Sequence, residues 1–146
     1  MPLKKYRLKR NFEITSEPKG KVLKTSKYRF VVHEHWASHH HFDFRLEMGG
    51  VLKSWAVPKR IPKKEKIKRL AIQTENHPMS YINFEGKIPE GCYGAGTVKI
   101  FDKGTYELIE ITKDRIVFKL KGKKLKGNYS LIKLKDRKNQ WLLFKS

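Results

Sequence analysis

The chain has 146 residues, with 34 lysines and arginines against 14 aspartates and glutamates and a formal net charge of +20. This length suits one domain, and a positive surplus of this size favours a nucleic-acid partner over a merely lysine-rich surface. A single cysteine excludes an internal disulfide, and neither a signal peptide nor an apolar run of membrane-spanning length is visible. We therefore expect a cytoplasmic protein that does not bind membranes.

The N-terminal residues 1–20 are polar and basic, and they include the spaced apolar residues Tyr6, Phe12 and Ile14. We expect them to form an ordered arm whose aromatic side chains pack on the rest of the domain. A disordered basic tail is the alternative. Residues 28–34 are rich in β-branched and aromatic side chains and predict the first strand.

A β-hairpin is predicted next. Polar and apolar residues alternate without a break from His41 to Met48, the pattern of a half-buried strand. Gly49-Gly50 supplies the positive φ of a two-residue turn, and residues 51–57 return as the second strand. The cross-strand pairs of this register are Phe44 with Trp55, Asp43 with Ala56, and Arg45 with Ser54. Because the partners of the polar side chains are small, we expect the polar row to stay uncovered as the floor of a site.

The rest of the chain alternates short strand-like segments with turn signals. Asp102-Lys103-Gly104 is interpreted as a hairpin turn, with glycine where positive φ is favoured. The further predicted strands span residues 69–77, 97–101, 105–111, 115–120, 129–134 and 141–144. Regularly spaced short strands are typical of a sandwich or barrel, and a closed barrel has no exposed edges. We predict an all-β fold over residues 1–146, a small single-domain β-barrel of about eight mostly antiparallel strands with little helix.

The clearest chemical signal is a histidine-rich segment. Five histidines occur within nine residues, and Asp43 follows two positions later. Neutral imidazole and carboxylate are ligands of manganese, iron, zinc and related divalent metals. His35, His41 and Asp43 share sequence parity, and three protein ligands would leave positions open for water and substrate. A polar patch that binds metal only incidentally is the alternative. The competing ligands are His33, His39 and His40.

Two basic residues could contact a phosphate. Arg45 lies on the same predicted face as His41 and Asp43, and a guanidinium beside a metal can clamp a phosphate. A surface ion pair of Arg45 with Glu47 is the simpler interpretation. His77 ends a predicted strand, where an acid–base or phosphate-binding group would be well placed, although a lone histidine is more often structural.

Core packing is the default for all three tryptophans, which could otherwise stack on nucleobases; they are Trp36, Trp55 and Trp141.

These residues belong to a long motif. Residues 35–59 read H-x-A-S-x-x-H-F-D-F-R-L-E-x-x-G-V-L-K-S-W-A-V-P-K. This motif resembles the signature of the 3′-phosphoesterase domain of bacterial and archaeal ATP-dependent DNA ligase D, which heals 3′ ends in non-homologous end joining. The resemblance continues through Lys9-Arg10-x-Phe12-x-x-Thr15-x-Glu17-Pro18, Lys68-Arg69-Leu70-Ala71, Glu75-x-His77-Pro78-x-x-Tyr81, residues 84–97 and Trp141-Leu142-Leu143.

The resemblance implies a β-barrel enzyme that uses manganese, with cobalt or zinc as alternative ions. Such an enzyme removes a 3′-terminal ribonucleoside from a primer strand, leaves a 3′-phosphate, and then hydrolyses that phosphate to a 3′-hydroxyl. Its partners would be the 3′ ends of DNA or RNA/DNA primer–templates and a separately encoded ligase or polymerase. No polymerase or ligase module is present in the sequence, so we expect a stand-alone member that works as a monomer.

The resemblance also assigns roles to individual residues. The implied metal ligands are His35, His41 and Asp43. Arg45 and His77 become the pair that contacts the phosphate and stabilises the transition state, with His77 as a phosphate ligand or as a proton donor to the leaving oxygen. Further functional positions are matched by Tyr81, Lys59, Arg69, Glu75, Arg10 and Glu17.

One departure from the family pattern is Asn11, which stands where the family usually has aspartate. An amide cannot accept a proton as a carboxylate does, so we expect the two steps to proceed unequally. His39 and His40 also stand at positions that are usually not histidine, which leaves additional metal ligation open. Two other functions remain as alternatives: a non-catalytic basic barrel that binds nucleic acid, and an accessory module that docks on a polymerase or ligase.

Overall fold

A computed structural model describes residues 28–146 of the chain. The predicted arm of residues 1–20, with Arg10, Asn11 and Glu17, lies outside the described residues. The described part contains ten strands and one 3₁₀ helix. The elements are β1 (Arg29–Trp36), β2 (His40–Met48), β3 (Val51–Val57), β4 (Lys68–Gln73), β5 (His77–Pro78), the 3₁₀ helix (Met79–Asn83), β6 (Gly86–Ile88), β7 (Gly96–Ile111), β8 (Arg115–Gly122), β9 (Lys126–Lys133) and β10 (Gln140–Lys145). Within this part of the chain, no helix is long and apolar enough to cross a membrane.

Eight of the strands close into an antiparallel barrel. They pair in the order β1-β2-β3-β4-β10-β9-β8-β7, and β7 pairs back with β1 to complete the ring. Closure satisfies the backbone hydrogen bonds that an open sheet would leave at its edges. The predicted all-β barrel of about eight antiparallel strands is confirmed.

The barrel interior holds the main hydrophobic core. Alternate residues of β2 point inward, so that Phe42, Phe44 and Leu46 are buried beside Trp55 and Phe118. Each fully buried side chain of this size contributes about 1.5–3 kcal/mol relative to an exposed one. Burial of this face turns the polar residues of β2 to the outside of the barrel wall.

A second core covers that outer wall. Val31 of β1 and Leu52 of β3 point away from the barrel interior and pack against Met79, Tyr81 and Ile82 of the 3₁₀ helix. The segment from β5 to β6 therefore forms a second layer over β1, β2 and β3. The candidate site lies between this layer and the barrel wall.

The β2–β3 hairpin has the predicted register. Phe44 lies opposite Trp55, and the polar positions 43 and 45 lie opposite Ala56 and Ser54. Gly49 and Gly50 form the turn with φ values of 60° and 81°, a conformation that favours glycine. The prediction that the polar row would stay uncovered is wrong, because the second layer buries Arg45.

The predicted hairpin at residues 102–104 is wrong, since β7 runs through this segment as one strand. The Asp102 carboxylate accepts hydrogen bonds from the backbone N–H groups of Lys123, Lys124 and Leu125 at 2.8–3.1 Å. Gly104 is required by close backbone approach rather than by a turn, because a Cβ there would lie 2.3 Å from the carbonyl oxygen of Lys121. Sequence pattern cannot distinguish these two uses of an Asp-x-Gly segment.

The predicted strand at residues 69–77 is divided in the structure. β4 ends at Gln73, Thr74 donates its backbone N–H to the carbonyl oxygen of Ser54, and β5 begins only at His77. Both β4 and β5 pair with β3, and His77 lies opposite Leu52. This interruption brings His77 alongside the polar residues of the β2–β3 hairpin.

Candidate active site

Three predicted metal ligands lie together on the outer face of β1 and β2. His35 and His41 are cross-strand partners, and Asp43 follows His41 by two positions on the same strand face. One ligand atom from each residue lies within 4.8 Å of the others. The period of two in β2 and the β1–β2 register therefore suffice to assemble the group.

Backbone carbonyls fix both imidazoles. Nε2 of His35 donates to the carbonyl oxygen of Gly94 at 2.8 Å, and Nδ1 of His41 donates to that of His39 at 2.9 Å. Because a carbonyl oxygen can only accept, the proton of each neutral ring is on the nitrogen that faces the carbonyl, which is Nε2 in His35 and Nδ1 in His41. The other nitrogens face Asp43, with His35 Nδ1 3.4 Å from Oδ2 and His41 Nε2 3.2 Å from Oδ1. Metal-binding histidines are usually held in this manner.

The carboxylate of Asp43 is held ionised. Burial opposes its ionisation, but the Arg45 charge, followed by the close contacts with the His35 and His41 imidazoles, holds its pKa well below the usual range. Burial also opposes protonation of His41, yet the adjacent Asp43 carboxylate raises the pKa of His41. A carboxylate with two imidazoles in contact is a region of concentrated negative potential that a cation would stabilise.

The donor set fits a divalent transition metal. Two imidazole nitrogens and one carboxylate oxygen suit manganese, iron, cobalt or zinc, and three protein ligands leave positions for solvent and substrate. Among the described residues, this group contains none of the three competing histidines, which are His33, His39 and His40. His40 binds the Glu34 carboxylate at 2.8 Å, and both ring nitrogens of His33 have other partners.

Arg45 lies directly beside the three ligands and is almost fully buried. Its Nε donates to Nδ1 of His33 at 3.1 Å, and its Nη1 donates to Oγ of Ser54 at 2.9 Å. Its Nη2 lies 3.5 Å from Oδ2 of Asp43, and its guanidinium carbon lies 5.0 Å from the centroid of the Tyr81 ring. A surface ion pair is therefore excluded for Arg45, whose guanidinium is fixed in one orientation.

His33 supports this arginine. Because Nδ1 accepts from Arg45, the proton of His33 is on Nε2, which donates to the carbonyl oxygen of Phe84 at 3.1 Å. Burial, followed by the Arg45 charge, lowers the pKa of His33 to about 3. His33 is thus a neutral, fully buried acceptor.

His77 approaches the same arginine from β5. Its Nδ1 lies 3.0 Å from the carbonyl oxygen of Glu75, 3.2 Å from Nη1 of Arg45 and 3.3 Å from Oγ of Ser54. The His77 ring meets the Tyr81 ring edge-on, with centroids 4.8 Å apart. Nδ1 is therefore turned to the protein, and Nε2 is the nitrogen on the opposite side of the ring.

The metal-type ligands, Arg45 and His77 face one cavity of about 310 Å³. His35, His41, Asp43, Arg45, Glu75, His77 and Tyr81 all line it. Apolar walls are supplied by Ala37, Ala56 and Ile88, which lower the local dielectric and strengthen charge interactions. A cluster of metal-type ligands and a fixed guanidinium in one partly apolar cavity can bind and polarise a phosphoester.

Comparison with known proteins agrees with this geometry. The family model of the DNA ligase D 3′-phosphoesterase domain matches residues 33–133. The chain belongs to this family.

The multifunctional non-homologous end joining protein LigD of Pseudomonas aeruginosa is 43% identical over 155 residues, a match that covers 99% of this chain and 18% of the relative. The non-homologous end joining DNA repair protein LigD of Mycobacterium tuberculosis is 42% identical, with 96% of this chain and 19% of the relative covered. The corresponding protein of Mycolicibacterium smegmatis is 41% identical, over 94% of this chain and 19% of its own length. The chain thus spans less than a fifth of these relatives.

The structure does not bring every predicted site residue of this phosphoesterase domain to the cavity. Lys59 is exposed just beyond the end of β3, and Arg69 on β4 donates from Nε to the carbonyl oxygen of Arg60 at 3.2 Å. Neither residue is among the described residues that line the cavity. The roles predicted for these two residues stay predictions, as do those of the three residues before position 28.

Sequence reasoning missed several supporting groups. His33 was predicted only as a competing ligand, and Ser54 only as a small neighbour of Arg45. The carbonyl oxygens of Phe84 and Gly94, which fix His33 and His35, gave no sequence signal. For Ser54 the predicted register already placed a hydroxyl opposite a guanidinium, which was enough to suggest the contact.

Proposed function

We propose that this chain is a divalent-metal-dependent phosphoesterase that processes DNA 3′ ends in double-strand break repair. It removes a 3′-terminal ribonucleoside, leaving a 3′-phosphate, and then hydrolyses that phosphate to a 3′-hydroxyl. Membership of the 3′-phosphoesterase family supports the reaction class. The observation that carries the proposal is that three metal-type ligands share a cavity with a fixed arginine and a histidine.

The proposed ligands are Nδ1 of His35, Nε2 of His41 and the Asp43 carboxylate. We infer manganese as the ion, although cobalt and zinc also accept this donor set. A bound divalent ion would neutralise charge on a phosphoryl oxygen and lower the pKa of a water. The protein prepares the ligands for it, because Gly94 and His39 hold the imidazole protons away from the ligand atoms.

Arg45 is proposed to bind the phosphate. His33 and Ser54 already occupy its Nε and Nη1 groups, so the Nη2 edge beside Asp43 remains for a phosphate oxygen. The contacts hold the guanidinium in place before substrate arrives, and preorganised charge costs no reorganisation in the transition state. The Tyr81 ring adds a cation–π contact of about 1 kcal/mol or more and supports the guanidinium from one face.

His77 is proposed to act through Nε2. In the first step water attacks phosphorus and gives up a proton, the bond to the 5′ oxygen of the terminal ribonucleoside breaks, and that oxygen takes up a proton. In the second step another water attacks phosphorus and gives up a proton, the bond to the 3′ oxygen of the primer breaks, that oxygen takes up a proton, and inorganic phosphate leaves. His77 either contacts a non-bridging phosphate oxygen or supplies the proton to the leaving oxygen.

Nucleic acid is the proposed substrate because the chain is strongly basic. With a net charge of +20, its affinity for duplex ends would come largely from phosphate contacts and would fall steeply with salt. We further infer that the chain meets primer–template ends together with a ligase and a polymerase, as its relatives are multifunctional end-joining proteins. A monomer is sufficient for this role, since all the proposed site residues come from one chain.

The test is gel-resolved processing of a 5′-labelled primer–template that ends in one ribonucleotide. With manganese, we expect shortening to a 3′-phosphate end and then conversion to a 3′-hydroxyl end. Chelator and the His41→Ala variant should each abolish both products. His39→Ala is the matched control, because it removes a neighbouring imidazole but keeps the carbonyl that holds His41. An intact substrate with every divalent metal, bound but not cleaved, would contradict the proposal and favour a nucleic-acid-binding module.

The two roles of His77 can be separated with a leaving-group substrate. A 5′-bridging sulfur in the scissile diester leaves as a thiolate and needs no proton. If His77 is the proton donor, His77→Ala should lose activity on the oxygen diester by about 10²-fold or more and regain it on the sulfur diester. If His77 only contacts the phosphate, both substrates should be slowed equally. Full activity of the variant on every substrate would exclude a role for His77.

A further inference from the structure

The tip of the β1–β2 hairpin carries an exposed aromatic pair. Trp36 is 43% exposed, whereas Trp55 and Trp141 are buried in the barrel. The Trp36 ring is stacked on the imidazole of His40, with centroids 5.5 Å apart and planes at 22°. The sequence default of core packing therefore fails for Trp36, whose side chain is partly exposed to solvent.

This pair is fixed by its neighbours. His40 Nε2 lies 2.8 Å from a carboxylate oxygen of Glu34, and the His40 ring packs against Phe42 at 5.4 Å. Phe42 in turn meets Phe101 at 5.3 Å. A row of four aromatic rings thus runs from the exposed tip into the mouth of the barrel. Rigid aromatic groups bind flat ligands with little loss of side-chain entropy.

Two lysines flank the inner end of the row. Nζ of Lys124 lies 4.4 Å and Nζ of Lys63 lies 5.8 Å from the centroid of Phe101. Asp102 holds the backbone of the loop that carries Lys124, through N–H groups at 2.8–3.1 Å. Alternating aromatic and cationic groups of this kind bind single-stranded nucleic acid, where bases stack and phosphates meet lysines.

The aromatic pair and the proposed metal site lie at the same end of the β1–β2 hairpin, on opposite faces of the sheet. Trp36 follows His35 and His40 precedes His41, and successive residues of a strand point to opposite faces. The two meet at the tip, because the groove lined by Trp36 shares Ala37 with the cavity and the groove lined by His40 shares His41 with it. Ala37, at the same tip, lines the catalytic cavity. The pair also forms a ridge between two grooves, because Trp36 lines one with Lys87, Pro89 and Thr97, and His40 lines the other with Ser38, Ala56 and Pro58.

We propose that Trp36 and His40 form a stacking platform for an unpaired nucleobase next to the 3′ end that is processed, and that Lys63 and Lys124 contact the phosphates of the same strand. The inference rests on the proposed function, because it places the phosphate in the cavity. An unpaired base is required because stacking on the neighbouring base pairs covers both faces of a base inside a duplex. The residues of the platform would strengthen binding of the nucleic acid without taking part in the chemistry.

The test measures binding in chelator, so that it does not depend on catalysis. A primer–template with a 5′ template overhang is titrated into the wild-type protein, and its affinity and the tryptophan fluorescence are recorded. DNA should quench the tryptophan fluorescence of the wild type but not that of Trp36→Phe. Because phenylalanine keeps an aromatic ring, the affinity of Trp36→Phe should stay within about threefold of wild type. Trp36→Ala should bind about 5- to 150-fold more weakly, the range for loss of one base–aromatic stack.

Two controls make the result specific. The first is the same primer–template with abasic residues in the overhang and at the 3′ end, which should bind without quenching and with equal affinity for wild type and Trp36→Ala. The second is Ile109→Ala, which truncates an exposed apolar side chain twelve residues along β7 from Thr97, the backbone partner of Trp36. This variant should bind as wild type does.

The outcomes separate the platform from the enzyme. Equal affinity of wild type and Trp36→Ala for the intact primer–template, without quenching, would overturn the platform and leave the proposed function standing. Quenching that persists with abasic DNA would also overturn it. Absence of any binding to primer–templates would overturn both.

Discussion

Arg45 donates a hydrogen bond from Nε to Nδ1 of His33, at 3.1 Å inside the protein. The acceptor is a neutral imidazole whose own proton is bound by the carbonyl oxygen of Phe84. A carboxylate at position 33 would hold the guanidinium equally well but would cancel its charge. The arrangement therefore orients Arg45 while leaving its positive charge available to a phosphate.

The first prediction concerns His33 as a positioning residue. Replacing it by leucine removes an acceptor of a charge-assisted hydrogen bond worth about 1.5–3 kcal/mol. We expect kcat for 3′-phosphate hydrolysis to fall by about 10- to 100-fold with little change in KM. His33→Asn, whose side-chain oxygen can replace Nδ1 as acceptor, should restore part of kcat. Wild-type kcat in a folded His33→Leu protein would contradict the assignment, and thermal melts of both variants check the fold.

The second prediction compares Arg45 with its other support, Ser54. Arg45→Lys keeps the charge but cannot reach His33, Ser54 and a phosphate together, so we expect a loss of about 10²-fold or more in kcat/KM. Ser54→Ala removes only a neutral acceptor and should cost about tenfold or less. Steady-state kinetics on a 3′-phosphate primer would measure both. A loss of about tenfold or less for Arg45→Lys would show that a point charge is enough at position 45.

The β2–β3 hairpin and the metal-type cluster could be predicted because both depend on local pattern. Strict alternation from His41 to Met48 and the Gly49-Gly50 turn determine which side chains share a face. The cross-strand pair of His35 and His41 then completes the cluster. Each of these relationships lies within a short stretch of sequence.

The role of His33 could not be predicted, because it depends on distant chain. His33, His35 and His41 share the same parity, so alternation predicts each of them equally well as a metal ligand. The Phe84 carbonyl, which binds the proton of His33 and so leaves Nδ1 to accept from Arg45, lies 51 residues away in sequence. The Gly94 carbonyl that fixes His35 lies 59 residues away. The position of the second layer over the barrel wall decides these contacts, and no local pattern encodes it.

The third prediction concerns Asn11, whose importance rests on the family resemblance. We expect Asn11→Asp to change the ratio of 3′-phosphate to 3′-hydroxyl products by about tenfold or more, since a positioned acid or base contributes about 10²–10⁴-fold. Time courses on ribonucleotide-ended and phosphate-ended primers would measure the two steps separately. If both rates stay at their wild-type values, position 11 does not distinguish the steps.

The fourth prediction concerns stability at alkaline pH. Tyr129 is fully buried and donates to the carbonyl oxygen of Pro62 at 2.6 Å. Burial, followed by the Asp102 charge, raises the pKa of Tyr129 to about 12. The folded state therefore retains this proton more tightly than the unfolded state, so the stabilisation is complete below pH 10 and is lost as the pH rises from about 10 to 12.

Urea unfolding of wild type and Tyr129→Phe would test this. At pH 7 we expect the variant to be less stable by about 1 kcal/mol, the net value of a buried hydrogen bond. The difference between the two proteins should shrink above pH 10, because only the wild type loses stability through ionisation of this phenol. A difference that stays constant from pH 7 to about pH 11.5 would contradict the raised pKa.

The proposed catalytic activity depends on the metal centre, which titration of manganese followed by electron paramagnetic resonance measures most directly. The prediction is one bound ion per chain, lost in His41→Ala and retained in His39→Ala, because His41, unlike His39, offers a ring nitrogen to the cluster. Equal manganese binding by the wild type and His41→Ala would contradict it, since the ion would then be held by other groups than His35, His41 and Asp43.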